Sequence, residues 1–254
     1  MSILAIFNRP GSHAARVIRE ETGIRHYIGS NKIKVDAIIN YGLSGPALRA
    51  KMSSARGIPT LNSHIETSKL RALRVAEKNG IVIPESKTQL TSKDDLKDWI
   101  EKRYASQGGR GIRMASRRGE IPGKYFQKFI RNRPYEIRVH AFKWLPKEQW
   151  TVQRRIGNPT EVAWNFEQGG FFMGVYRPEG YRTYREALSV SQKILDIMGM
   201  QFGAVDFVLD ERFKLYFIEI NSAPGFTELS QSVYINAFNK LKGLSAQELA
   251  RLTK

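Results

Sequence analysis

Residues 202–226 read FGAVDFVLDERFKLYFIEINSAPGF. Two apolar runs, FGAVDFVLD and LYFIEIN, flank the polar turn ERFK, which is the pattern of a β-hairpin. Asp206, Glu219 and Asn221 interrupt the runs where a core strand favours hydrophobic side chains. Pairing Asp210 with Leu215 around the turn places Asp206 opposite Glu219, with Asn221 two residues further along that face. Phe202, Ala204 and Phe217 are expected on the same face, which argues against a plain solvated surface bearing exposed carboxylates. Like charges opposed across a ladder cost about 0.2 to 1 kcal/mol, and more when buried, unless a cation lies between them. Two carboxylates and an amide oxygen form a hard donor set suited to Mg²⁺ or Mn²⁺, with coordination positions left for phosphate oxygens and water.

The totals narrow the remaining choices. A chain of 254 residues with 41% hydrophobic content has enough apolar side chain for one large domain or two small ones. The absence of cysteine excludes disulfides, thiolate nucleophiles and cysteine-ligated metals. The four histidines, His13, His26, His64 and His140, show no i, i+4 pairing, so a histidine-built metal site is not expected. The start, MSILAIFNRP, reads as a first strand rather than a signal peptide, and no apolar stretch is long enough to cross a bilayer. A soluble cytoplasmic protein without membrane contact is the expectation.

The net charge of +17 implies an anionic partner such as a nucleotide, an acidic peptide or nucleic acid. The charge is uneven. Lys102 to Arg133 holds ten basic residues and one acid, Glu120, whereas Gln201 to Ser230 holds five acids and two bases. Opposite poles of this kind suit a metal with a polyphosphate better than a uniform nucleic-acid face.

Along the chain, SILAIFN, a helix from Ser12 to Gly23, VDAIINYG and GIPTLN form a small parallel α/β unit. Ser63 with Glu66 predicts a capping box for a helix through IETSKLRALRVAEKNG, stopped by Gly80, and IVIPES follows as a strand. The stretch TSKDDLKDWIEKRYA fits a helix or a strand equally. SQGGRG is a loop, IRMAS a strand, and GKYFQKFI and YEIRVHAF are a linker strand and a core strand. Thr183 and Glu186 are expected to cap the helix REALSVSQKILDIM, and Ser245 with Glu248 to cap the last helix, AQELARLT.

AVDFVL followed by FIEINSAPGF resembles the terminal metal-binding hairpin of the ATP-grasp superfamily, nearest the RimK-like carboxylate-amine ligases. The similarity runs from about residue 60 to 226, with its pieces in the family's order. The resemblance implies an α/β (α+β) ATP-grasp fold in which two α+β subdomains clasp ATP. A small, truncated parallel α/β domain precedes them. The expected divisions are 1–62 for that leading domain, 63–125 for the central subdomain with its flap loop, and 126–254 for the C-terminal subdomain with the hairpin.

It also implies roles for residues. SKLRALRVAEKNGIVIPES supplies Lys69 to the nucleotide, and KRYASQGGRGI supplies Lys102, or Arg103 if the loop is shifted, with Gly108, Gly109 and Gly111 over the phosphates. YFQKFI places Gln127, Phe129 and Ile130 around adenine, and YEIRVHAF puts Glu136 near the ribose and Arg138 near the substrate. QRR, with Arg154 and Arg155, and Asn165 of WNFEQGG resemble the arginine and asparagine that approach the phosphates and the acyl intermediate. Asp206, Glu219 and Asn221 are the implied metal ligands.

The implied chemistry is ATP- and Mg²⁺-dependent ligation of a carboxylate donor to an amine acceptor, an amino acid, peptide or protein end, acidic ones included, through an acyl phosphate. Two alternatives stand beside it: an ATP-grasp kinase that transfers phosphate without ligation, and a basic nucleic-acid-binding protein with a degenerate ATP-grasp fold. No Gly-Lys-Ser or Gly-Lys-Thr loop and no HRD or DFG motif is present, which disfavours P-loop enzymes and protein kinases.

Overall fold

A parallel sheet opens the chain: β1 (Leu4–Asn8) lies between Arg25–His26 and β2 (Ala37–Tyr41), and Thr60–Leu61 pairs with the far side of β2. The computed structural model describes residues 2–27, 34–105, 111–159, 161–164 and 169–253. β1 and β2 are buried almost throughout, as strands covered on both faces must be. Helix α1 (His13–Thr22) is capped by Ser12, whose Oγ accepts from the Ala15 N–H, and closed by Gly23 in the left-handed region. A second helix, α2 (Gly45–Ser54), was not anticipated; Pro46 in its first turn is the signal that marks it.

Asn62 ties this sheet to the rest. Its backbone N–H donates to Gln201 Oε1 at 2.6 Å, its Nδ2 donates to the Phe202 carbonyl at 3.0 Å, and its Oδ1 accepts from the Gln201 N–H at 2.8 Å. The joint is buried and fully hydrogen-bonded, so the leading sheet is fixed to the strand that carries Asp206.

Helix α3 (Lys69–Lys78) begins five residues later than a Ser63 cap would set it. Ser68 is the cap, accepting from the Arg71 N–H, and Glu66 instead accepts from the Ser68 N–H outside the helix. The later start puts Leu70, Leu73 and Ala76 into the core and leaves Lys69 in the first turn. The run IVIPES is strand only at Ser86–Lys87.

The ambiguous stretch resolves as a 3₁₀ turn, Leu96–Asp98, followed by β3 (Trp99–Arg103). β3 pairs antiparallel with β4 (Lys124–Lys128), and Ser86–Lys87 and Arg113–Met114 flank the pair in a four-stranded sheet. Tertiary pairing decided what periodicity left open: Glu101 is fully buried yet bonded by Arg113, Lys124 and Ser116, which only a strand in this register permits.

The main sheet is antiparallel: β5 (Glu136–Phe142), β6 (Thr151–Ile156), β7 (Phe171–Gly174), β8 (Phe202–Leu209) and β9 (Leu215–Asn221) stand in the order β7, β6, β5, β8, β9. Helix α4 (Arg182–Ile197) covers one face, packing Tyr184, Ala187, Leu188, Ile194 and Leu195 into the core. It starts after Tyr181 with no side-chain cap, so Thr183 and Glu186 lie inside the helix rather than capping it.

On the other face the strands grade from apolar to charged. Phe142 and Phe202 stack at one end and pack against Tyr234 and Phe238 of helix α5 (Glu228–Lys242), while Glu136, Arg138, Arg155 and Asp206 occupy the other end. A final helix, α6 (Ala246–Leu252), carries the Ser245 and Glu248 capping box read from the sequence. Among the described residues no helix is long and apolar enough to cross a membrane.

The hairpin register differs from expectation at its turn. Leu209, not Asp210, faces Leu215, yet Asp206 still faces Glu219 because the ladder shifts between Asp206 and Phe207. Ile218 is the extra residue, a β-bulge in β9. Phe217 therefore lies opposite Phe207 and packs on it at 6.3 Å, and does not share the Asp206 side as expected.

Candidate active site

A cleft of about 1070 Å³ opens where the three larger sheets meet. Lys69, Lys102, Gln127, Phe129, Ile130, Glu136, Arg138, Arg155, Glu219 and Asn221 all line it. Asp206 lies beneath its floor, 1% exposed. Gly111 is described, with φ +79° and Arg103 against it, but does not line the cleft. Gly108, Gly109 and Asn165 lie outside the described residues.

The floor is a network of fixed charges. Arg138 grips Asp206 through two bonds, Nε to Oδ1 at 2.6 Å and Nη2 to Oδ2 at 2.7 Å. Arg155 bridges two carboxylates, with Nη1 to Glu136 Oε2 at 2.8 Å and Nη2 to Asp206 Oδ2 at 2.9 Å. These contacts follow from register, since Arg138 faces Asp206 across β5 and β8 and Glu136 faces Arg155 across β5 and β6. Burial acts to raise the Asp206 pKa, but the two guanidiniums outweigh it and hold the carboxyl well below the usual range. Burial likewise opposes the charge on Arg155, and Asp206 and Glu136 reverse that, keeping it firmly cationic.

Phe172 of β7 lies under both guanidiniums, 4.9 Å from each. Arg155 Nε, buried, has no hydrogen-bond partner among the described residues. Arg133, not anticipated, adds a cation 3.6 Å from Glu136 and stacks 4.1 Å over Trp164. Arg154 points the other way: it packs on Tyr135 and donates to the Tyr184 hydroxyl on the α4 side.

Two lysines converge from the opposite wall. Lys69 Nζ meets Glu219 Oε2 at 2.6 Å, placed by the first turn of α3. Lys102 Nζ donates to Gln127 Oε1 at 3.0 Å and the residue is 5% exposed, whereas Arg103 is exposed and does not line the cleft. Burial pulls the Lys102 pKa down to about 8. Pro84, Ile100, Phe129, Ile130, Val208 and Ile218 add an apolar wall. The Phe129 backbone N–H is already bonded to the Asp98 carbonyl, so its contribution there is the side chain.

Arg133, Arg138, Arg155, Lys69 and Lys102 outnumber Glu136, Asp206 and Glu219, which leaves positive charge for a polyphosphate. Among the described residues no three His, Cys, Asp or Glu side chains gather as a metal site. The register sets Asp206 opposite Glu219, with Asn221 two residues further along β9, and all three side chains offer oxygen donors of the kind a hard divalent ion takes. A guanidinium on Asp206 and an ammonium on Glu219 hold cationic charge where that ion would contribute it.

Comparisons with known proteins agree with this architecture. The family model described as D-ala D-ala ligase C-terminus matches residues 180–252, which hold α4, the hairpin, α5 and α6. The D-alanine--D-alanine ligase of Fusobacterium nucleatum subsp. nucleatum is 38% identical over 73 residues, a match taking in 28% of this chain and 24% of that protein. The chain thus spans about a quarter of the length of the curated relative it matches. Among solved structures, the ATP-grasp ligase PsnB complexed with minimal precursor superposes with a TM-score of 0.60 at 14% identity, covering 100% of this chain and 99% of that one. The macrocyclase MdnC bound with precursor peptide MdnA from Microcystis aeruginosa MRC gives 0.57 at 13% identity, covering 96% and 100%. The fold is that of the ATP-grasp ligases, over the full length of the chain.

Proposed function

We propose that the protein is an ATP-dependent ligase, RimK-like in its motifs, that joins a carboxylate to an amine through an acyl phosphate and releases ADP and phosphate. One observation carries this reading: Lys69, Lys102, Arg138 and Arg155 converge with the Asp206 and Glu219 pair in one cleft beside an apolar wall. The residues 1–62, 63–125 and 126–254 act as leading domain, central subdomain and C-terminal subdomain. A cytoplasmic setting suits ATP as co-substrate.

In this proposal the apolar wall takes adenine, with Gln127 at its edge and Glu136 toward the ribose. Lys69 and Lys102 neutralise phosphate oxygens, while a phosphate role for Gly108, Gly109 and Gly111 rests on the resemblance alone. Asp206, Glu219 and Asn221 would hold Mg²⁺, or Mn²⁺, which when bound neutralises charge on the phosphates and polarises the transferred group. The donor carboxylate attacks the γ-phosphorus and ADP leaves; the amine then attacks the acyl carbon, phosphate leaves, and the amine proton passes to solvent. Arg138 and Arg155, stacked on Phe172, stabilise the charge that builds on phosphoryl and carbonyl oxygens, a task the resemblance also gives to Asn165. PsnB is complexed with a minimal precursor and MdnC is bound with a precursor peptide in their structures, which supports a peptide or protein end among the substrates here.

The test is incubation with Mg-ATP and a panel of amino acids and peptides, following ADP release and product mass together. ADP that appears only when donor and amine are both present, with a product lighter by one water than their sum, is expected. ADP formed without any amine would replace the ligase by a kinase. Steeply salt-dependent nucleic-acid binding with no ATP turnover would remove both.

A further inference from the structure

Arg9 stands out among the cations that line the cleft. Lys69, Lys128, Arg133, Arg138 and Arg155 each have a carboxylate within 4.0 Å, and Lys102 is bonded to Gln127. Arg9 has no carboxylate partner among the described residues. Its side chain is nonetheless held: Nε donates to the Gly42 carbonyl at 2.7 Å, and the two terminal amino groups of the fork have no partner among the described residues.

The anchor is tied to the reaction centre. Gly42 adopts φ +88°, and a Cβ there would lie 2.6 Å from the Ala223 side chain, so the leading sheet touches the loop after β9 at this point. The Ala223 N–H in turn donates to Asn221 Oδ1 at 3.1 Å. Arg9 thus sits on the side of the cleft that carries Asn221, and Gly11 and Ser12 line the same corner.

Resting on the ligase reading, we propose that the amine acceptor carries a free carboxylate and that Arg9 binds it. The acceptor class is then an α-amino acid or the end of a peptide with its carboxyl group intact, rather than a simple amine. The two free amino groups of the guanidinium match a carboxylate in the two-bond manner, a strong and geometrically selective pairing. A residue of this kind reads the group that does not react, so it governs selection among acceptors.

The experiment compares the twenty amino acids and their carboxamides as acceptors, with the wild-type protein, R9A, R9K and R16A. Arg16 is an exposed cation of α1 that does not line the cleft, so its variant controls for loss of charge alone. ADP release gives kcat/KM, and calorimetry with magnesium and a non-hydrolysable ATP analogue gives acceptor binding. For the wild-type protein and R16A the free acid should exceed its amide by at least about tenfold, R9A should lose that preference, and R9K should restore part of it. Equal preference in wild type and R9A overturns the assignment. If no acceptor triggers ADP release, the ligase reading falls, and the Arg9 assignment is decided by calorimetry. Binding of an acid that weakens tenfold in R9A alone upholds it, and equal binding, or none, overturns it.

Discussion

Asp206 and Glu219 face each other across β8 and β9 because Ile218 is one residue too many in β9. In an unbroken ladder continued from Leu209 and Leu215, Glu219 would turn to the side of Phe217 and the core. The bulge therefore assembles the candidate metal pair, and it also delivers Ile218 to the cleft wall.

Deleting Ile218 should straighten β9 without separating the pair. Glu219 would then follow Phe217 directly and still meet Asp206, with Ile220 and Asn221 still opposite Val205 and Ala204. What is lost is the Ile218 side chain from the cleft wall, so ATP affinity should fall by about tenfold. Calorimetric titration with ATP checks it, and an unchanged affinity would remove Ile218 from the nucleotide wall.

The two carboxylates should respond differently to neutralisation. Asp206 is 1% exposed and bonded to two arginines, so Asp206→Asn leaves buried guanidiniums short of charge and should cost about 3 to 5 kcal/mol besides turnover. Glu219 is 26% exposed in its pair with Lys69, so Glu219→Gln should abolish turnover while shifting stability by less than about 1 kcal/mol. Thermal melts of both variants separate the two cases.

Lys69→Ala should weaken ATP binding by at least about tenfold, the loss expected for one hydrogen bond to a charged group, with little change in fold. Calorimetric titration with ATP measures it directly. An unchanged affinity would remove Lys69 from the nucleotide site.

Lys102 gives a pH signature. Burial lowers its pKa to about 8 from the ordinary 10.5, so the folded state penalises its ammonium. That penalty is fully present below about pH 8, shrinks as the pH rises towards 10.5, and is gone above it. Wild-type stability should therefore gain relative to Lys102→Met across this window, while ATP affinity falls in the same window as the cation is lost. Urea midpoints and ATP titrations at several pH values test the pair; parallel curves for the two proteins would refute it.

The hairpin and the helix caps at Ser12 and Ser245 were legible because each rests on residues close in sequence. Most residues of the motifs from Lys69 to Asn221 also line one cleft, since each motif is a local signature. The register at the turn, the bulge and the true cap at Ser68 were not legible, because packing between distant segments chooses among locally similar options. Arg133, Phe172 and Arg9 escaped notice for a related reason. An isolated arginine or phenylalanine has no pattern, and its position becomes informative only when strands far apart in sequence bring it beside Asp206, Glu136 or Gly42.

Phe172 belongs to β7, which among the described residues is hydrogen-bonded to a neighbour on one side only. The shelf beneath Arg138 and Arg155 is thus an outermost strand, the part of a sheet that peels first. Momentary fraying there would loosen both arginines at once, so amide exchange in β7 and the grip on anions should rise and fall in opposition.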